Sequence, residues 1–421
     1  LKTIFTLGFL SAIVFYSCNE MENKSTISTP VAAKKDTVIT THGHSRTDSY
    51  FWMRLSDEQK TAENKDAQTQ EVIDYLNAEN DYLDAQMSSE KELRTTLYDE
   101  MVARVAKDDE SVPYFKNGYW YYTRFEKDNE YPIYCRKKDN LEGAEIVLLN
   151  VNELAEGKEY YQVSSIDVSP DNKILAFGED AVSRRIYTIR FINLETGEFL
   201  DDKLENTSGN VAWANDNKTM FFTTKNKETL LSEKIWRHQL GDVNSTLVYE
   251  EKDPAYYNGV YRSKSGKYIV INNHSTLSTD YHILSADKPM GEFQNFTARE
   301  DVHEYSISHF NNKFYILTNW NAQNFRLMEC SEDNTSKENW TEVLAHRKDV
   351  LLEDIDIFKN HLVVSERSNA LPHLRVINQK TKEDYYIEFK GGAYLAYSAT
   401  NPELDSNTLR FVYGSPSTPL T

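Results

Sequence analysis

The stretch PDNKILAFGED (residues 170–180) sets a polar turn directly before a short apolar strand, and the same arrangement returns along the chain. It recurs as KNGYWYYTRF (116–125), NDNKTMFFTTK (215–225), KSGKYIVINNH (264–274), FNNKFYILTNW (310–320), FKNHLVVSER (358–367) and DSNTLRFVYGS (405–415). With Tyr119, Lys173, Lys218, Lys267, Lys313, His361 and Thr408 as anchors, successive units lie 45 to 54 residues apart. Each interval has room for about four strands and their turns, the size of a propeller blade. Seven anchors therefore predict seven blades. A sandwich has no reason to repeat one turn-plus-strand unit at near-constant spacing, whereas radially packed sheets bury their faces only against neighbours of the same kind. Phe177, Phe222, Ile269 and Tyr315, a few residues past their turns, are expected to be mostly buried.

Upstream of these repeats the period changes from two to about 3.6. Between Asp57 and Asp108, Val72, Ile73, Leu76, Leu83 and Met87 recur at three- and four-residue steps, and Leu93, Leu97, Met101 and Val105 at four. Two amphipathic helices are predicted, the second opening at a Ser89/Glu92 capping box. Their apolar stripes need a surface to pack on, and nothing earlier in the chain is large enough to supply it.

The first residues read as an address. Lys2 precedes an uncharged run rich in Ile, Leu, Phe and Val, which ends at Ser17 and Cys18. That run is short for a bilayer span and has the one-sided positive flank of a secretory signal. A small residue before a cysteine at that point resembles a bacterial lipoprotein cleavage site, so Cys18 is the expected lipidation site. The protein is then exported and held by lipid on the periplasmic side of the cell envelope, touching membrane only through that anchor. The following residues, rich in Asn, Glu, Ser, Thr, Lys and Pro, read as a disordered tether. The expected organisation is a leader over 1–18, a tether over 19–39, an N-terminal segment with two helices over 40–110, and an incomplete-ended propeller over 111–421. The fold class is all-β with a helical N-terminal segment.

The 66 acidic and 47 basic residues leave a net charge of −19, which repels phosphate backbones and argues against nucleic-acid partners. Besides Cys18 there are only Cys135 and Cys330, both in strand-like runs, so burial is expected and a disulfide framework is excluded. No G-x-S-x-G elbow, Walker loop or G-x-G-x-x-G occurs, so the chain offers no catalytic residue and no nucleotide cofactor site. The fragments Ser208-Gly209 and Ser265-Gly266 read as turns. In HEYSISH (303–309) the histidines stand six apart, not four, so they do not share a helical face, and solvated or edge-strand histidines are expected in place of zinc ligands. His42 and His44 flank Gly43 on a loop with a structural role. Asp108, Asp109 and Glu110 read as a solvated linker, and Trp120, Trp213, Trp236 and Trp320 as blade packing. No metal or cofactor is called for.

HGHSRTDSYFWMR (42–54) resembles the N-terminal signature of oligopeptidase B, the basic-residue-specific branch of the prolyl oligopeptidase family. Residues 111–134, 168–177, 205–218, 235–241 and 409–419 resemble the same family in the same order, while His44 and Ser49 depart from its pattern. The resemblance implies a serine endopeptidase that cleaves short peptides after Arg or Lys. It also implies an α/β-hydrolase domain that follows the propeller, carries the catalytic residues and receives the N-terminal helices. On this reading the last blade is unfinished, and the partners are short basic peptides and the hydrolase domain, with the substrate-binding residues unassigned. The rival is a stand-alone lipoprotein propeller that binds a peptide, glycan or protein.

Overall fold

The computed structural model describes residues 27–127 and 129–421; Cys18 and the whole leader lie outside them. The chain divides into two compact units, the first ending at Ala106 and the second running from Lys107 to Thr421.

In the first unit the expected tether ends sooner than residue 39. Thr37–Thr41 pairs antiparallel with His44–Asp48, from Thr37 opposite Asp48 to Thr41 opposite His44. His42 and Gly43 both have positive φ, 53° and 77°, as a two-residue hairpin turn matched to strand twist requires. The run TVITT is mostly β-branched and takes a partner strand, although the segment before it is polar. Ordering extends further back: the Trp52 indole donates to the Ala33 carbonyl at 2.8 Å, and Lys35 pairs with Glu71 while lying 4.2 Å from the Trp52 ring.

Three helices follow, at Asp57–Thr61, Ala67–Gln86 and Lys91–Val102. The capping box forms at the first of them, through Ser56 and Gln59. The predicted box at Ser89 and Glu92 does not form. A 3₁₀ turn at Ser88–Glu90 runs straight into the last helix, so its N-cap, Glu90, has φ −93° and ψ 2° and lacks the extended backbone that aims a capping side chain. Val72 is buried, but Leu76, Leu83, Leu93, Leu97, Met101 and Val105 stay 47 to 66% exposed.

The second unit is a propeller of seven blades, the seventh with two strands. Blade 1 holds Tyr114–Lys116, Tyr119–Arg124, Ile133–Lys138 and Glu145–Asn150. Blades 2 and 3 form one seven-stranded sheet, because Phe199–Trp213 is both the outer strand of blade 2 and the inner strand of blade 3. Gly209, φ 93°, sits in the bulge between these two roles; a Cβ there would lie 2.2 Å from Ser164 Oγ. Blades 4, 5 and 6 are four-stranded meanders starting at Tyr257–Arg262, Tyr305–Phe310 and Leu351–Ile357. Blade 7 has two strands, Leu395–Ser398 and Phe411–Gly414. Beyond the turn that follows, Tyr413 and Thr421 exchange both backbone hydrogen bonds.

Every anchor turn joins, or directly precedes, the second strand of its blade, so the seven anchors are structurally equivalent. The core lies between blades: Phe221 and Ile235 of blade 3 pack with Ile269, Ile271 and Leu284 of blade 4, and Tyr281 and Ile283 pack with Phe314 and Met328 of blade 5. Phe177, Phe222 and Ile269 are buried as expected, while Tyr315 is only half-buried. Its neighbour Phe314 takes the sealed slot against blade 4, and Tyr315 points to the other face, where its hydroxyl reaches Gln379 of blade 6 at 3.3 Å. Of the expected packing tryptophans, Trp213 is sealed against Phe191, Trp320 stacks edge-on with Trp340, and Trp236 donates to Thr224 Oγ1.

Candidate functional site: the axial tunnel and its rim

In a propeller the first strand of each blade faces the central channel. Here each of these strands runs toward its anchor turn, so the ends of the first strands and the anchor turns share one rim. The polar residues of the sequence repeat tie neighbouring blades together along it. Asn117 donates to the Pro170 carbonyl at 2.7 Å, Asp171 N–H to Asn217 at 2.9 Å and Asn215 to the Gly266 carbonyl at 3.2 Å, joining blades 1 to 4 in turn. Lys359 N–H donates to the Leu404 carbonyl at 2.7 Å between blades 6 and 7. Blades 7 and 1 share no strand, but Asn117 N–H donates to Glu403 at 2.5 Å and the Arg410 guanidinium to the Val112 carbonyl at 2.6 Å.

The junction of blades 4 and 5 is the most elaborate. His309 Nδ1 lies 2.8 Å from Ser265 Oγ, and Nε2 lies 2.8 Å from Glu332, whose carboxylate also takes Lys267 at 2.6 Å. Ser, His and Glu in a row share the outline of a nucleophile relay, but the imidazole is wedged between the Tyr268 and Phe314 rings, each about 5 Å away, so the arrangement is a staple between blades. The other Ser-Gly fragment is equally local: Ser208 Oγ bonds Asn210 beside the bulge.

Neither histidine of HEYSISH is solvated, although His309 does lie on an edge strand, Tyr305–Phe310, the first of its blade. His303 bonds Thr318 at 3.0 Å and stacks on Tyr305, and burial lowers its pKa to about 4; burial likewise lowers that of His309. Both faces of a blade are covered by its neighbours, so a polar residue near an inner strand has no solvent face to turn to. Among the described residues no group of three or more His, Cys, Asp and Glu side chains is disposed to hold a metal ion. Cys135 and Cys330 are free and buried, their thiols pushed up to about 11 chiefly by burial. No helix among the described residues is long and apolar enough to cross a membrane.

Charges line the rim of the tunnel in pairs. Lys116 meets Asp167 at 3.0 Å; burial pulls its ammonium down, but the Asp167 charge and hydrogen bond outweigh this and raise it. Arg262, lowered by burial, donates to Asn215 at 2.6 Å. Lys264 meets Asp356 at 2.7 Å. Sequence reading assigned none of these residues a role; their signal was their place in or beside the repeated turns. The arrangement is a rim of paired charges and inter-blade hydrogen bonds, and the Ser265–His309–Glu332 row on it is locked between blades.

Blades tied to one another along a shared rim define a β-propeller, and the chain belongs to the prolyl oligopeptidase family: residues 30–421 match the model of its N-terminal β-propeller domain. It is 41% identical to dipeptidyl aminopeptidase BI of Pseudoxanthomonas mexicana, covering 98% of this chain and 58% of that one. It is 31% identical to protease 2 of Moraxella lacunata, over 90% and 54% respectively. Among solved structures, oligopeptidase B from Leishmania major superposes with a TM-score of 0.85 at 28% identity, over 94% of this chain and 58% of that one. The chain thus spans a little over half the length of these relatives. The resemblance to oligopeptidase B read from residues 42–54 and the stretches after it holds.

Proposed function

We propose that this chain is the gating part of an exported serine endopeptidase that cleaves short peptides after Arg or Lys, with the catalytic serine on an α/β-hydrolase domain outside residues 1–421. The tunnel would exclude folded proteins by size while the hydrolase domain performs acyl transfer. The observation that carries this reading is the apolar face of the N-terminal helices. Six large side chains from Leu76 to Val105 lie open to water, more than a soluble unit of this size leaves exposed in one stripe without a partner surface. In this reading the hydrolase domain covers them. Cys18 is the proposed lipid anchor; Cys18→Ala should leave unprocessed precursor, and a wild-type protein that partitions into the aqueous phase of a detergent extraction would refute the anchor.

The test compares this chain with the whole gene product on N-blocked arginyl and lysyl esters. The chain alone should leave them intact, and the whole product should cleave them until a serine-directed inhibitor is added. Serine-dependent cleavage by the chain alone overturns the reading. A second reading is favoured by the 41% identity to a protein named as a dipeptidyl aminopeptidase: removal of dipeptides from free N-termini. Cleavage of substrates with a free N-terminus, but not of their blocked counterparts, would decide for it.

A further inference from the structure

Lys264 stands in the anchor turn of blade 4 and Asp356 near the end of the first strand of blade 6. Their 2.7 Å ion pair skips blade 5 and forms a chord across the ring of first strands, whereas the rim contacts described above join neighbours. The second Asp356 oxygen accepts from Ser398 Oγ of blade 7 at 2.9 Å, so one carboxylate gathers three blades. The Lys264 ammonium also lies 4.2 Å from the Phe358 ring. Both charged side chains are largely withdrawn from solvent, at 22% and 16% exposure. Against the pair lies a cavity of about 190 Å³, lined by Tyr261, Ile307, Ser308, Ile355 and Leu404 from blades 4 to 7. Asp354, two residues before Asp356, lies on the same face of the strand. Lys264 is the cation paired with Asp356, and Arg262 lines the same cavity.

We propose that the Lys264–Asp356 pair is a latch over the anchor-turn mouth of the tunnel, released when a basic peptide takes the place of Lys264 at Asp356. This rests on the gating reading and adds its opening step. A guanidinium suits the exchange, because its planar fork can engage a carboxylate through two hydrogen bonds where an ammonium offers a point charge. The displaced Lys264 swings out from Phe358, the chord is broken, and the cavity beneath joins the solvent outside the mouth.

The experiment uses the 421-residue chain with Cys18→Ala and a reporter thiol, Ile307→Cys, at a buried position lining the cavity; Cys135 and Cys330 are buried and stay silent. Labelling by a bulky maleimide is timed with and without Lys264→Ala or Asp356→Asn. Either latch variant should label about tenfold faster, as a shift of the open population would produce. The charge-swapped double variant, Lys264→Asp with Asp356→Lys, should restore slow labelling, which a merely loosened fold would not. A tri-arginine amide should speed labelling of the intact latch more than tri-glutamate or sodium chloride of equal ionic strength. Equal rates with and without the pair overturn the latch, and equal acceleration by salt and tri-arginine overturns release by a basic peptide. Because labelling needs no peptidase activity, its failure is distinguishable from failure of the gating reading, which is judged by cleavage.

Discussion

The propeller and the N-terminal unit bury their apolar residues in opposite ways. In the propeller, Phe221, Ile269 and Phe314 are sealed between adjacent sheets, and each blade serves as the wall of the next. In the N-terminal unit the helix Lys91–Val102 has no buried residue, and its Leu93, Leu97 and Met101 face water. Repetition lets a blade find its partner within the same chain. A single amphipathic helix pair has no such copy of itself, so among the described residues its apolar face stays uncovered.

That contrast breaks if truncation costs the same on both sides. Phe221→Ala should destabilise the propeller by about 3–5 kcal/mol, the usual cost of an emptied aromatic site, while Leu97→Ala should change stability by less than about 0.5 kcal/mol. Denaturant titration of the two variants decides; comparable losses would show that the helix stripe is packed in solution.

The next effect is acid sensitivity confined to the propeller. His303 is 4% exposed and its pKa is lowered to about 4 from 6.5, so the unfolded chain takes up its proton first as pH falls. Stability is full above pH 6.5 and is lost between 6.5 and 4, by roughly 3 kcal/mol from this group. His303→Gln, which cannot titrate, should flatten that part of the curve. An unchanged slope in urea melts between pH 6.5 and 4 would remove His303 as the cause.

Gly209 tests whether the joint between blades 2 and 3 needs its special backbone. With φ 93° and a Cβ contact of 2.2 Å to Ser164 Oγ, Gly209→Ala should cost about 2 kcal/mol. A cost near zero would mean that the bulge relaxes freely. The smallest effect separates two serines in the N-terminal unit. Ser56→Ala removes a working cap and should cost about 1 kcal/mol, whereas Ser89→Ala, outside any formed cap, should cost nothing measurable.

The seven anchors were legible because a period near 47 residues survives in the polar turns, and the same turns carry the rim contacts through Asn117, Asp171, Asn215 and Ser265. The partners of those contacts were not legible. His309, Glu332 and Asp356 lie 23 to 92 residues from the residues they serve or are served through, and no local pattern links such distances. The Ser89 box failed because S-x-x-E states which side chains are available, while the 3₁₀ turn before it decided whether the backbone was extended enough to use them.

Local chemistry in the sequence determined the blade count, the turn positions, the helix stripes, the burial of Cys135 and Cys330 and the family, since each depends on residues close together or on a period along the chain. Only the tertiary structure decided that blades 2 and 3 share one strand, that His303 and His309 are sealed, and that Lys264 reaches past blade 5 to Asp356. These depend on which surfaces meet when the blades are arranged around an axis. Proximity of that kind is a property of the packed molecule, where each sheet takes its environment from sheets encoded far away in the chain.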